Sequence, residues 1–131
     1  SESEDQISVI EDSVTPIFEA GLVDLVETDH RISDEVQLIP TAGHTPGHVS
    51  VAIESKGEKA LITGDMMHHP CQIARPHWTV SFDEDQEAAT RCRQNVLKEL
   101  ADTPTLVIGT HFATPTAGKV VSDEDSYRFD F

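Results

Sequence analysis

The sequence predicts a single α/β domain spanning residues 1–131, in which a mostly antiparallel or mixed sheet carries flanking helices. Three observations carry this expectation. Runs of aliphatic and β-branched residues at 36–39, 49–53 and 105–108 have strand length and are bounded by turn formers. Residues 83–101 instead repeat at helical spacing, with Ala89, Cys92, Val96, Leu97 and Leu100 forming one apolar stripe. A chain of 131 residues also has the length for one real core.

Each element follows from local chemistry. Ile10, Val14, Ile17 and Phe18 recur with helical spacing, which predicts an amphipathic helix ending at Gly21. Pro16 either kinks this helix or takes the first position of a shorter one capped by Thr15. Residues 22–26 alternate as a short strand with Asp24 facing out. Residues 36–39 form the next strand and lead into a Gly/Pro-rich loop. Residues 49–53 and 59–63 pair as a hairpin through Lys56-Gly57-Glu58, and the second of them ends at Gly64-Asp65. Periodicity is lost over 66–82, a stretch that holds His68, His69, His77, Trp78 and two prolines. It reads as a loop over the mouth of a site. The helix at 83–101 takes Asp83 as its N-cap, with acidic residues in its first turn. The apolar strand 105–108 runs on to His111, a loop follows at 112–118, and 119–121 is a last short strand.

Charge narrows the partners. The net charge is −15, from 9 basic and 24 acidic residues. Nucleic acid and anionic membrane surfaces are disfavoured, because both need clustered Lys and Arg. No apolar run approaches the roughly 20 residues of a membrane span. Ser1-Glu-Ser-Glu-Asp5 is the opposite of a basic and apolar signal peptide, so a cytoplasmic protein is expected. Cys71 and Cys92 are too few for a disulfide framework and form no CxxC pair. Cys92 reads as a small core residue and Cys71 as ordinary packing after a His-His-Pro turn.

The chemistry concentrates at strand ends. Thr41-Ala-Gly-His-Thr-Pro-Gly-His48 is a stiff loop in which Gly43, Pro46 and Gly47 exclude a helix. It presents two imidazoles on a rigid backbone, as metal ligands require. Asp65 closes one later strand and His111 another, so three apolar runs each finish in a His or Asp. Imidazole and carboxylate together suit zinc, manganese, cobalt or iron.

Gly-His-Thr-Pro-Gly-His48, Thr-Gly-Asp65 and Gly-Thr-His111, in that order, resemble the C-terminal half of a metallo-β-lactamase-fold hydrolase. The longer string from Asp29-His30 through Gly64-Asp-Met-Met-His-His69-Pro-Cys-Gln72 is similar to the branch containing methyl parathion hydrolase and lactonase-like enzymes. The resemblance runs over about residues 14–127. It implies one half of a four-layer αββα sandwich, and hydrolysis of an ester, lactone or phosphotriester. It also implies a metal set of His48, Asp65 and His111. His48 and His111 match residues that each bind one zinc-like ion, and Asp65 matches the bridging, catalytic carboxylate. His44 matches a loop-holding position, and His68 is placed to approach metal or substrate. His30, His69 and His77 read as surface or loop residues.

The family's upstream His-x-His-x-Asp-His motif does not occur in this chain. Zinc or another divalent transition metal is therefore expected to bind weakly or partially, with weak or no activity for the chain alone. A half-sandwich also leaves an inner sheet face open, to which Val51, Ile53, Leu61, Ile62, Leu106 and Ile108 are assigned. The expected cover is the missing N-terminal half or a second copy, as a homodimer through the sheet face. The alternative from another class is a stand-alone, non-catalytic half-domain acting as a binding or interaction module.

Overall fold

The computed structural model describes residues 9–131. Its N-terminal stretch winds through one wide turn at Ile10–Val14 into helix α1 (Thr15–Glu19), with Pro16 in the first turn. Pro thus sits where its missing N–H costs nothing. The helix stops at Gly21, whose φ of 67° ends the right-handed run. Residues 22–27 form no strand, which corrects the reading from alternation. Alternation specifies a strand only beside a partner edge, and here Leu22 and Leu25 are 75% and 83% exposed. The chain first meets the sheet at the isolated Arg31–Gln37 bridge.

Six strands then follow in sequence order across one sheet: β1 (Val36–Pro40), β2 (Val49–Ser55), β3 (Glu58–Ile62), β4 (Leu106–Ile108), β5 (Ala117–Asp123) and β6 (Ser126–Asp130). Strands β1, β2 and β3 pair antiparallel, as do β4, β5 and β6, whereas β3 and β4 run parallel. The β2–β3 turn uses Lys56 and Gly57, both at positive φ, which matches the right-handed twist of the flanking strands. The β5–β6 hairpin extends the expected last strand and adds one that its polar sequence concealed.

A parallel pair needs a crossover. This one carries a turn of 3₁₀ helix at Gly64–Met66, helix α2 (Cys71–Ala74) and helix α3 (Gln86–Leu100). Helix α3 buries Ala89, Leu97 and Leu100, while Cys92 and Val96 pack against the core edge. Burial raises the Cys92 thiol pKa, as befits a small core residue. Register aligns Ala52, Leu61 and Val107 across β2, β3 and β4 on the helix-covered face, where Met66, Met67, Ile73, Phe112 and Val120 complete the core. Leu61 is therefore a buried core residue, not part of the open face to which it was assigned. Val51, Ile62 and Ile108 align on the opposite face, and none of them belongs to the core cluster.

The true N-cap of α3 is Asp85, which accepts from the Ala88 N–H at 2.8 Å. Asp83 is buried instead, 3.7 Å from the guanidinium of Arg93, and neither side chain is exposed. Arg93 also donates to the carbonyls of Pro76, Met66 and Trp78 at 3.0, 3.1 and 3.1 Å. One cation thereby fastens the irregular crossover to the helix. Gly43 fastens the other loop. Its carbonyl accepts from the Asp85 N–H at 3.0 Å, and a Cβ at its φ of 144° would lie 2.3 Å from the Ala89 nitrogen. Among the described residues no helix is long and apolar enough to cross a membrane.

Candidate metal centre

The loop between β1 and β2 is closed by its own backbone. The Thr41 N–H donates to the His48 carbonyl at 3.0 Å, and the Gly43 N–H to the Thr45 carbonyl at 3.2 Å. Beneath it run buried hydroxyls. Thr41 Oγ1 lies 3.1 Å from Ser50 Oγ, which donates to the Thr63 carbonyl at 2.9 Å. These bonds tie the ends of β1, β2 and β3 together, so the residues that follow each strand start from fixed positions.

His48 belongs to this tie. The Asp65 N–H donates to His48 Nε2 at 2.8 Å, which makes Nε2 an acceptor. The ring proton then sits on Nδ1, facing Thr41 Oγ1 at 2.9 Å and the Thr41 carbonyl at 3.1 Å. Burial holds the His48 pKa below its ordinary value, consistent with a neutral ring. Gly64 permits the contact, since a Cβ there would stand 2.7 Å from His48 Nε2. In this arrangement both nitrogens of His48 are engaged with the protein, and its visible work is to orient Asp65.

Asp65 follows β3 and His111 follows β4, so the parallel pairing sets them side by side. His111 Nε2 lies 2.5 Å from Asp65 Oδ1. This hydrogen bond pulls the Asp65 pKa below the usual carboxylate value, although burial opposes it. The second oxygen, Oδ2, faces His44 Nε2 at 3.5 Å. His44 Nδ1 lies 3.2 Å from Asp83 Oδ1 and donates there, which leaves Nε2 with a lone pair. A ring lone pair and a carboxylate oxygen that face one another at that distance make a position suited to a cation. A carboxylate behind a histidine that faces such a position is the usual support for a ligand imidazole.

His68 completes the group. Its ring stacks on His111 with centroids 5.0 Å apart and approaches His44 at 5.3 Å. One ligand atom each from Asp65, His68 and His111 lie within 4.8 Å of one another. His68 Nδ1 is buried with no hydrogen-bond partner. Burial, then the neighbouring His111 and His44 rings, lower the pKa of His68, which favours the neutral form that binds metal. Phe82 packs edge-on against both His44 and His68, at 5.9 and 5.1 Å.

Of the residues expected to bind metal, Asp65 and His111 stand together, and His48 stands behind Asp65. His44 and His68 face the same carboxylate. Asp83 and Phe82 escaped the sequence reading, because each takes its place through folding of the crossover. The remaining histidines stay apart: His30, His69 and His77 are exposed, and His69 Nδ1 accepts from the Cys71 N–H at 3.1 Å. A cleft of about 520 Å³ lined by Ile39, Ala52, Leu61, Val96 and Leu100 includes none of these rings, so it is separate from the metal chemistry. The donor set fits a borderline divalent ion such as zinc: several imidazoles, one carboxylate and a buried ring nitrogen without a hydrogen-bond partner.

Comparisons with known proteins agree with this geometry. The sequence model of the metallo-beta-lactamase superfamily matches residues 4–111. The chain belongs to the metallo-β-lactamase superfamily. Among solved structures it superposes on the hydrolase AbOPH of the beta lactamase superfamily with a TM-score of 0.85 at 26% identity, covering 95% of this chain and 43% of that one. It matches AidC, a dizinc quorum-quenching lactonase, with a TM-score of 0.75 at 21% identity, over 92% of this chain and 46% of that one. An N-acyl homoserine lactone hydrolase with product at its catalytic metal centre gives 0.55 at 27% identity, over 70% and 36%. The chain therefore spans less than half the length of these structures. No match was found among curated proteins.

Proposed function

We propose that this chain is the C-terminal, metal-binding half of a metallo-β-lactamase-superfamily hydrolase acting on an ester, lactone or phosphotriester. The observation that carries the reading is the placement of His44 and His111 on opposite oxygens of Asp65, at the ends of adjoining strands. The lactonases among its structural neighbours support the substrate class. In this reading Asp65, His111 and His44 would hold the metal, and His48 keeps the Asp65 carboxylate in place through the Asp65 N–H. Bound zinc, or another divalent transition metal, would polarise the substrate's carbonyl or phosphoryl oxygen and lower the pKa of water. The chain's own residues orient the carboxylate, lower the pKa of His48 and His68 by burial and wall the site with Phe82.

The apolar face of Val51, Ile62 and Ile108 would be covered by an N-terminal half or by a second copy, with no nucleic-acid or membrane partner for so acidic a chain. A reducing cytoplasm suits the free Cys71 and Cys92. The test is hydrolysis of an aryl ester, an N-acyl homoserine lactone and an aryl phosphotriester, each with zinc, manganese or cobalt. The chain is assayed alone and mixed with the N-terminal half of AbOPH. Metal-dependent turnover should be low alone, rise on mixing and vanish in Asp65→Asn. Turnover in neither setting, or turnover that survives Asp65→Asn, refutes the proposal.

A further inference from the structure

We propose that Asp65, His68 and His111 form a one-ion site complete within this chain, with His68 as the third donor. The inference rests on the metal-centre reading above and goes beyond it. Asp65 is shared between two sides. On the Oδ2 side the contact among the described residues is His44, so an ion there would draw its further donors from elsewhere. Around His111 the count is different. One ligand atom each from Asp65, His68 and His111 fall within 4.8 Å of one another, and side-chain rotations that open the 2.5 Å His111–Asp65 contact and draw in His68 would bring them to coordinating distance. Tetrahedral coordination with bonds of about 2.0–2.2 Å places donors roughly 3.3–3.6 Å apart.

The observation that singles out His68 is its unpartnered, buried Nδ1. A buried ring nitrogen without a hydrogen bond is costly, and metal coordination is one way to repay the ring's burial. Its position is also fixed independently of the site. The His68 and His69 N–H groups donate to Gln72 Oε1 at 2.7 and 3.3 Å, while Gln72 donates to the Trp78 carbonyl at 2.9 Å. Gln72 is itself buried, so the backbone that carries His68 is held before any ligand arrives. His68 also lies stacked on His111, whose Nε2 meets Asp65 Oδ1. Two imidazoles and one carboxylate are a donor set of the catalytic zinc type, with a fourth position left for water or substrate. The partly exposed rims of Asp65 and His111 leave that position open to solvent.

The consequence is a stoichiometry. The isolated chain binds one divalent ion, not two and not none. The test titrates the full 131-residue chain with Zn²⁺ against a chromophoric chelator, and with Co²⁺ read by its visible absorption. The parent should bind one equivalent, with the intense bands of a four-coordinate cobalt site. His68→Gln and His111→Gln should each weaken zinc binding by at least about tenfold and lose or shift those bands, because each removes one of three ligands. His77→Gln, at an exposed position outside the site, should match the parent, and circular dichroism checks that every variant is folded. If His68→Gln keeps both the affinity and the cobalt spectrum, the role of His68 is overturned and the metal-centre reading stands. If the parent binds no ion, the metal-centre reading falls as well. Two tight ions per chain would overturn the one-ion site.

Discussion

Replacing Arg93 by Met removes the cation that the crossover is built around and leaves a side chain of related length. The guanidinium has no solvent exposure, and neither has the Asp83 carboxylate beside it. Losing one member of such a pair strands the other charge in the interior, which costs about 3–5 kcal/mol. A second route gives a similar size. Three hydrogen bonds from a charged donor to the Pro76, Met66 and Trp78 carbonyls, at roughly 1.5–3 kcal/mol each, set an upper bound above that range. Loosening of 66–78 lets water reach those carbonyls and brings the loss back toward the lower figure. Against a typical total stability of about 5–15 kcal/mol this is a large fraction. With a urea slope of about 1–3 kcal/mol per molar, the midpoint should fall by roughly 1 M or more. Equilibrium urea denaturation followed by circular dichroism measures it. Asp83→Asn in the Arg93→Met background should recover part of the loss, since it discharges the stranded carboxylate. A single variant within about 1 kcal/mol of the parent, or a double variant no more stable than Arg93→Met, would show that this pair does not hold the crossover.

Gly43→Ala forces a Cβ against the start of α3 at a φ of 144°, and should destabilise by at least about 1–3 kcal/mol; an unchanged melting temperature would contradict the close approach. The Asp102 carboxylate accepts from the Ser122 hydroxyl and N–H, which depresses its pKa. A depressed carboxylate stabilises above its unfolded pKa and loses that contribution as pH falls through the folded value. Ser122→Ala should therefore move the Asp102 titration, followed by carboxyl carbon NMR, upward toward the ordinary value, and a stationary titration would deny the bond. The half-buried face of Val51, Ile62 and Ile108, together with the exposed Leu22 and Leu25, should make the chain self-associate more tightly as salt screens its charge of −15; a folded monomer in sedimentation at both low and high salt would show that these surfaces are not adhesive.

Elements whose signal is local were legible in the sequence. The β2–β3 hairpin and helix α3 appear within a few residues of their expected bounds, because alternation, turn residues and a helical stripe are properties of adjacent residues. Residues 22–27 show the limit of that signal, since their alternation meets no neighbouring edge. Asp83 looked like a cap because it precedes the helix, yet Arg93 draws it inside and Asp85 caps instead. A clue was present: Arg93 lies four residues from both Ala89 and Leu97, on the buried side of the stripe. The site was legible as a group of residue types and less so as a geometry. His44 and His48 share one loop and one spacing rule, and their different roles come from what each ring meets. His48 meets a backbone N–H, whereas His44 meets two carboxylates.

The parallel contact between β3 and β4 has a kinetic consequence. The strands before it close through short loops and hairpins, as do those after it, so two local ribbons form from contacts near in sequence. Joining them requires closing the whole crossover, the most non-local pairing in the sheet and the step with the greatest loop-closure cost. His44 belongs to the first ribbon, Asp65 and His68 to the start of the crossover that follows it, and His111 to the second ribbon. The centre therefore comes into being only with that joining step, and an ion that needs residues from both ribbons would bind the joined chain alone and draw the slow step toward completion.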